Sequence, residues 1–255
     1  MSSLATTPAA NNLFEIDPDS ALLTTPVQQH LHSTVASLLH LATRTRPDIL
    51  LPVTFLCSRV SVATEEDSKK LRRILSYLNA TADLPFVLGK RGSPIIVNCY
   101  ADASFAVHHD NKSHGGIAIS CGHGFVWCKC SKQRMVTKSS TEAELVTLSD
   151  AVSMAAWSIQ FLRGQGYNVI PNLFQDNLST IALANAGRST SDRTRHINIR
   201  YYFVSQYLKD GTMNLQHCPA TEMIDDLFTK PLQGSDFIRF RDLILGITTD
   251  SYPTA

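Results

Sequence analysis

Past Lys90 the apolar residues change their rhythm, and that change limits what the chain can build. Before it, Leu31, Val35, Leu38, Leu39 and Ala42 recur at i, i+4, i+7, i+8 and i+11, one face of an α-helix. Pro47 suits the first turn of a second helix, expected to run to about Val60, because its missing N–H is not needed there. Thr64 is followed by Glu65, Glu66 and Asp67, then by Lys69, Lys70, Arg72 and Arg73, a charge order that complements a third helix's dipole. Leu71, Ile74, Leu75 and Leu78 give that helix its expected buried face. At KRGSP, 90–94, Gly and Pro break the pattern. Residues 95–102, 116–120 and 125–130 then read as strands, the last two joined by a short turn. Beyond them the spacing predicts a helix over 142–162 capped by Ser140 and Thr141, a strand over 172–176, helices over 178–186 and 195–208, a strand over 211–217 and a short helix over 221–228. Three meandering strands followed by alternating helices and strands predict an α/β fold: a five-stranded mixed sheet flanked by helices, preceded by a small helical segment.

Residues 1–28 show no sustained period and are expected to form a mobile leader. Residues 29–91 form the helical segment, 92–234 the sheet domain and 235–255 a C-terminal tail. Apolar residues at 44% supply a core, and charged residues at 18% are too few for a disordered chain. Lys plus Arg number 23 against 22 for Asp plus Glu, so affinity for nucleic acid has to come from local clusters and not from a global field. No uncharged apolar run approaches the roughly 18 residues needed to span a bilayer, and MSSLATTPAA lacks the layout of a secretion signal. No membrane association is expected. The six cysteines are sparse for a disulfide scaffold, which fits a reducing compartment. Cys121, His123, Cys128 and Cys130 lack the tight pairs of a zinc site, and strand alternation explains the last two.

Acidic residues fall at the ends of the expected elements. Asp102 ends the first strand, Glu142 and Glu144 open the long helix, Asp176 ends the fourth strand, and Asp225 and Asp226 open the last helix. In open α/β sheets ligands bind outside the carboxyl ends of the strands. Carboxylates converging there repel one another unless cations neutralise them, and hard oxygen ligands select Mg2+ or Mn2+. Two such ions about 3.5–4 Å apart activate a water and stabilise a leaving oxygen, which is the chemistry of hydrolytic phosphoryl transfer.

YADAS at 100–104, KSSTEAEL at 138–145, QDN at 175–177, RTRHINIRYYFV at 193–204 and DDLFTKPL at 225–232 together resemble the RNase H domain of copia-type LTR retrotransposon polyproteins. Residues 32–60 and 70–89 resemble the segment that links polymerase to RNase H in those polyproteins, so the resemblance covers about 31–234. It implies an RNase H-like fold and endonucleolytic hydrolysis of the RNA strand of RNA/DNA hybrids with two Mg2+, or Mn2+ in their place. The family's catalytic, metal-binding acids fall on Asp102, Glu144, Asp176 and Asp226. Glu144, followed by Leu145, fits the pattern better than Glu142, and Asp226 better than Asp225, which is expected to be its exposed neighbour. Lys132, Lys138, Arg193 and Arg195 are candidate contacts to the nucleic acid, and His217 is a loose candidate for the product-release histidine of cellular RNases H. Arg44, Arg46, Arg72 and Arg73 either track the nucleic-acid backbone or serve packing.

The sequence departs from the family at Asn198, where aspartate is common, and holds no Tyr-x-Asp-Asp polymerase hairpin. DNA synthesis is therefore not expected of it, and a polymerase domain is expected to come from another chain. The sequence reads as a fragment, a truncated copy or a repurposed remnant of a longer polyprotein. The rival to the enzyme is a non-catalytic or co-opted retroelement remnant that binds nucleic acid or acts as a scaffold. Either role places it inside the cell, in cytoplasm, nucleus or retrotransposon particles.

Overall fold

A computed structural model describes residues 4–90, 92, 94–187 and 195–247. Helix α1 spans Thr25–Arg44 and buries Leu31, Val35, Leu38 and Ala42, four of the five residues whose spacing predicts it. The second helix is shorter than expected. Pro47 opens a single 3₁₀ turn, α2 covers Leu50–Cys57, and a further 3₁₀ turn holds Val60. Helix α3, Glu65–Ala80, starts with a capping box in which Thr64 N–H donates to Asp67 at 2.9 Å. Its buried face is Leu71, Ile74 and Tyr77, while Leu75 is exposed. Arg46 makes a paired contact with buried Asp48, 2.9 and 2.8 Å, and Arg73 holds the backbone and hydroxyl of Thr7. These two arginines serve packing.

Short β1 (Gly89–Lys90) pairs with short β4 (Gly122–His123). The main sheet contains β2 (Ile95–Ser104), β3 (His114–Ser120), β5 (Phe125–Lys132), β6 (Val169–Gln175) and β7 (Asn214–His217), in the order β5-β3-β2-β6-β7. The first three form an antiparallel meander; β6 runs parallel to β2, and β7 parallel to β6. Parallel neighbours need crossovers. Helix α4 (Ser140–Gly164) supplies one, and α5 (Leu178–Ala186) with α6 (Arg195–Lys209) the other. The cap of α4 is Ser139, one residue earlier than expected, whose hydroxyl accepts from Glu142 N–H at 3.2 Å. By length and composition α4 is apolar enough to cross a membrane. Here Leu148, Ala151, Val152 and Ala155 are buried in one cluster with Val97, Cys99, Ala101 and Ile117 of the sheet.

The opposite sheet face carries Tyr100, Phe125, Cys130 and Phe174. They share one continuous core with α1, α2 and α3, with the single-turn helix α7 (Asp226–Thr229) and with α8 (Gly234–Leu245). Two expectations are overturned here. The segment expected to be a mobile leader buries Ala9 and Leu13 and sets Phe14 against Phe55; it is irregular, so it has no period to read. The expected tail contains α8, whose Phe237, Phe240 and Ile244 are buried. Gly246 ends that helix at φ 71°, and a Cβ there would lie 2.1 Å from the Val87 carbonyl oxygen, so only glycine lets the two segments close. Trp157 is 63% exposed and stacks on Phe161, whereas Tyr100 is buried in this core.

Candidate active site

Asp102 stands near the end of β2, opposite Gly116 of β3. Glu144 lies in the second turn of α4, and Asp176 follows β6 directly. The sheet and its crossover helix bring these three together: one carboxylate oxygen from each lies within 4.8 Å of the others, with Asp102 and Glu144 buried and Asp176 half-buried. Asp226 opens α7 and stands beside this trio, near enough to Asp102 to feel its charge and paired with Lys230 at 2.5 Å.

Neighbours fix the trio. Gln175 Nε2 donates to Glu144 at 3.2 Å and to the Ala101 carbonyl at 3.0 Å, while its oxygen accepts the N–H groups of Asp176 and Asn177. The Thr229 hydroxyl donates to Asp102. Lys230 Nζ lies 3.8 Å from Asp102. The motif words QDN and DDLFTKPL contain all three residues, but only the packed geometry shows what each one holds.

The electrostatics are those of crowded acids. Burial, then the charges of Asp102 and Asp176, pushes Glu144 up to about 10. Asp176 is raised by burial and by Asp102, against the opposing pull of Lys230. Asp226 is raised by burial and by Asp102, with Lys230 again opposing. Lys230 itself is raised: burial works against its charge, and Asp102 and Asp226 outweigh it. A cation among these oxygens would relieve the repulsion, and an all-carboxylate donor set suits a hard divalent ion. The residues present therefore fit a metal.

Glu142 turns away from the trio; its carboxylate accepts Lys138 N–H at 2.7 Å and closes the turn that leads into α4. Asp225 is not the exposed neighbour expected of it. It is 0% exposed, its carboxylate oxygens meet no partner among the described residues beyond its own backbone N–H, and burial followed by Asp102 and Asp226 raises it well above the ordinary range. Lys132 is paired with Asp110 at 2.8 Å, and Lys138 is exposed. Arg193 lies outside the described residues, as does the side chain of Arg195, which begins α6. His217 ends β7 opposite Gln175, close enough to act on the charge of Asp176.

An antiparallel meander, two parallel strands reached through helices, and acids on two adjacent strand ends and the crossover helix define an RNase H-like domain. No protein-family model matches the chain. The Retrovirus-related Pol polyprotein from transposon RE1 of Arabidopsis thaliana is 32% identical over 217 residues, 84% of this chain and 14% of the polyprotein. The corresponding polyprotein from transposon RE2 of the same plant is 30% identical over 209 residues, 81% of this chain and 14% of the polyprotein. The homologues of this chain are thus Pol polyproteins of copia-type LTR retrotransposons, and the chain spans about a seventh of the length of these relatives. RNase H1 of Halobacterium salinarum, 14% identical, aligns over 51% of this chain and 90% of its own at a TM-score of 0.35; the strand order, and not that score, defines the fold.

Proposed function

We propose that this chain is an RNase H-type endonuclease that hydrolyses the RNA strand of RNA/DNA hybrids with Mg2+, or Mn2+ in its place. The observation that carries the reading is the meeting of Asp102, Glu144 and Asp176 within 4.8 Å, each from a different element. Asp102, Glu144 and Asp176 would hold the metal, with Asp226 completing the set on the α7 side. Bound there, divalent ions supply an activated water and charge stabilisation at the leaving oxygen. The chain's own residues do the positioning. Gln175 fixes the Glu144 carboxylate, and Thr229 fixes that of Asp102. Asp176, the least buried of the three, would be the most open to an arriving phosphodiester. Exposed Lys138, and Lys132 on release from Asp110, would meet flanking phosphates, since hybrids are read mainly through backbone and sugar groups. A contact to the 2′-hydroxyl would restrict cutting to RNA.

The deciding experiment incubates the purified chain with labelled RNA/DNA hybrid, with and without Mg2+, beside Asp102→Asn. We expect Mg2+-dependent RNA cleavage in the parent and none in the variant. Equal activity in both refutes the assignment, and binding of the hybrid without cutting supports a scaffold role instead.

A further inference from the structure

Behind the acid cluster, three buried side chains form a hydrogen-bonded chain whose direction follows from valence. Cys130 Sγ lies 3.0 Å from the carbonyl oxygen of Phe228, which can only accept, so the thiol proton points there. His114 Nε2 lies 2.9 Å from the same sulfur and must therefore donate to it. That leaves His114 Nδ1 as the acceptor for His108 Nε2–H at 2.9 Å. One set of neutral tautomers satisfies all three contacts. The surroundings favour neutral rings: burial, then His108 and Lys132, pushes His114 down to about 3. Burial and Lys132, against Asp110, push His108 down to about 4.

The two ends of the chain touch different parts of the molecule. At one end Phe14 packs edge-on to His108 with ring centres 5.1 Å apart, and Phe55 of α2 stacks on it at 6.2 Å. Thr54, also of α2, reaches past this end and places its hydroxyl 3.1 Å from the Cys130 sulfur at the other. At the other end, the Phe228 carbonyl belongs to α7, which begins at Asp226 and ends at Thr229, the partner of Asp102.

We infer that His108, His114 and Cys130 are positioning residues that set α7 against the sheet, so that docking of the amino-terminal segment and α2 governs the Asp102–Asp226 side of the acid cluster. This rests on the metal-binding part of the proposed function. The valence argument makes a sharp distinction between replacements. Cys130→Ser keeps a donor for the Phe228 carbonyl, whereas Cys130→Val keeps the bulk and removes the donor.

The test measures Mn2+ affinity by calorimetry on the full chain at a temperature where circular dichroism shows each variant folded. Cys130→Val should bind Mn2+ about 10–100-fold more weakly, the range for groups that orient metal ligands, and Cys130→Ser should stay within about threefold of the parent. Phe14→Ala, half-buried at the far end, guards against a valine variant that does not fold, and should weaken Mn2+ binding in the same direction. Valine and serine variants that bind as tightly as the parent, or that are weakened equally, overturn the inference. A parent that binds Mn2+ without cutting the hybrid refutes the nuclease reading and leaves the relay intact. A parent that binds no Mn2+ overturns both.

Discussion

Gln175 donates to Glu144 at 3.2 Å from a side chain that is itself fully buried, and the same amide group accepts the backbone N–H of Asp176. One residue thus orients two of the three clustered acids. Gln175→Leu leaves those N–H groups unpaired in the interior, which should cost about 1–3 kcal/mol in denaturant unfolding. It should also weaken Mn2+ binding by about 10–100-fold. A variant with normal Mn2+ affinity would show that Gln175 is only a packing residue.

Glu142 and Glu144 sit two residues apart with different tasks. Glu144→Gln should abolish hybrid cleavage because it removes a carboxylate from the trio. Glu142→Gln should keep cleavage and lose less than about 1.5 kcal/mol of stability through its weakened hold on Lys138 N–H. Cleavage assays on the pair decide it, and loss of activity in the Glu142 variant alone would reverse the assignment.

Stability without metal should fall as the pH rises. Glu144 is held protonated up to about 10, against 4.5 for an unperturbed glutamic acid, so between those values the native state binds the extra proton. Stability therefore declines across that window, and Asp176 and Asp226, raised in the same direction, steepen its acidic part. Thermal unfolding in EDTA from pH 5 to pH 9 should show the decline, and added Mn2+ should flatten it. Glu144→Gln should melt higher than the parent at pH 8 in EDTA. A flat profile in EDTA contradicts the crowding of these acids.

Gly116, opposite Asp102, has no room for a side chain. A Cβ there would lie 2.8 Å from the side chains of Phe228 and Thr229 and 3.1 Å from the Asp225 carbonyl oxygen. Gly116→Ala must therefore push α7 off the sheet, and should cost about 1–3 kcal/mol in urea unfolding together with weaker Mn2+ binding. Unchanged stability would mean that α7 is not seated as described.

Much of this was legible in the residues, for physical reasons. Helix α1 was readable because its buried positions follow the helical repeat, and the sheet because strand runs alternate with punctuation by Gly and Pro. The acids were found because they stand at element ends within recognisable words. Residues 4–24 gave no signal, since an irregular segment buries Ala9 and Leu13 without any period. Helix α8 did carry one, Phe237, Phe240 and Ile244 at helical spacing, beyond the point where the motif words stop. The burial of Asp225 could not be read at all: of two consecutive acids at the start of a one-turn helix, only tertiary packing decides how deeply each is buried.

Because Leu13, Phe55, Tyr100, Phe228 and Ile244 lie in a single apolar interior, the helical third and the sheet have no seam between them. A cut at the Gly- and Pro-marked junction would bare greasy surface on both pieces, so the polypeptide should melt in one cooperative step, and its halves should be insoluble when expressed apart.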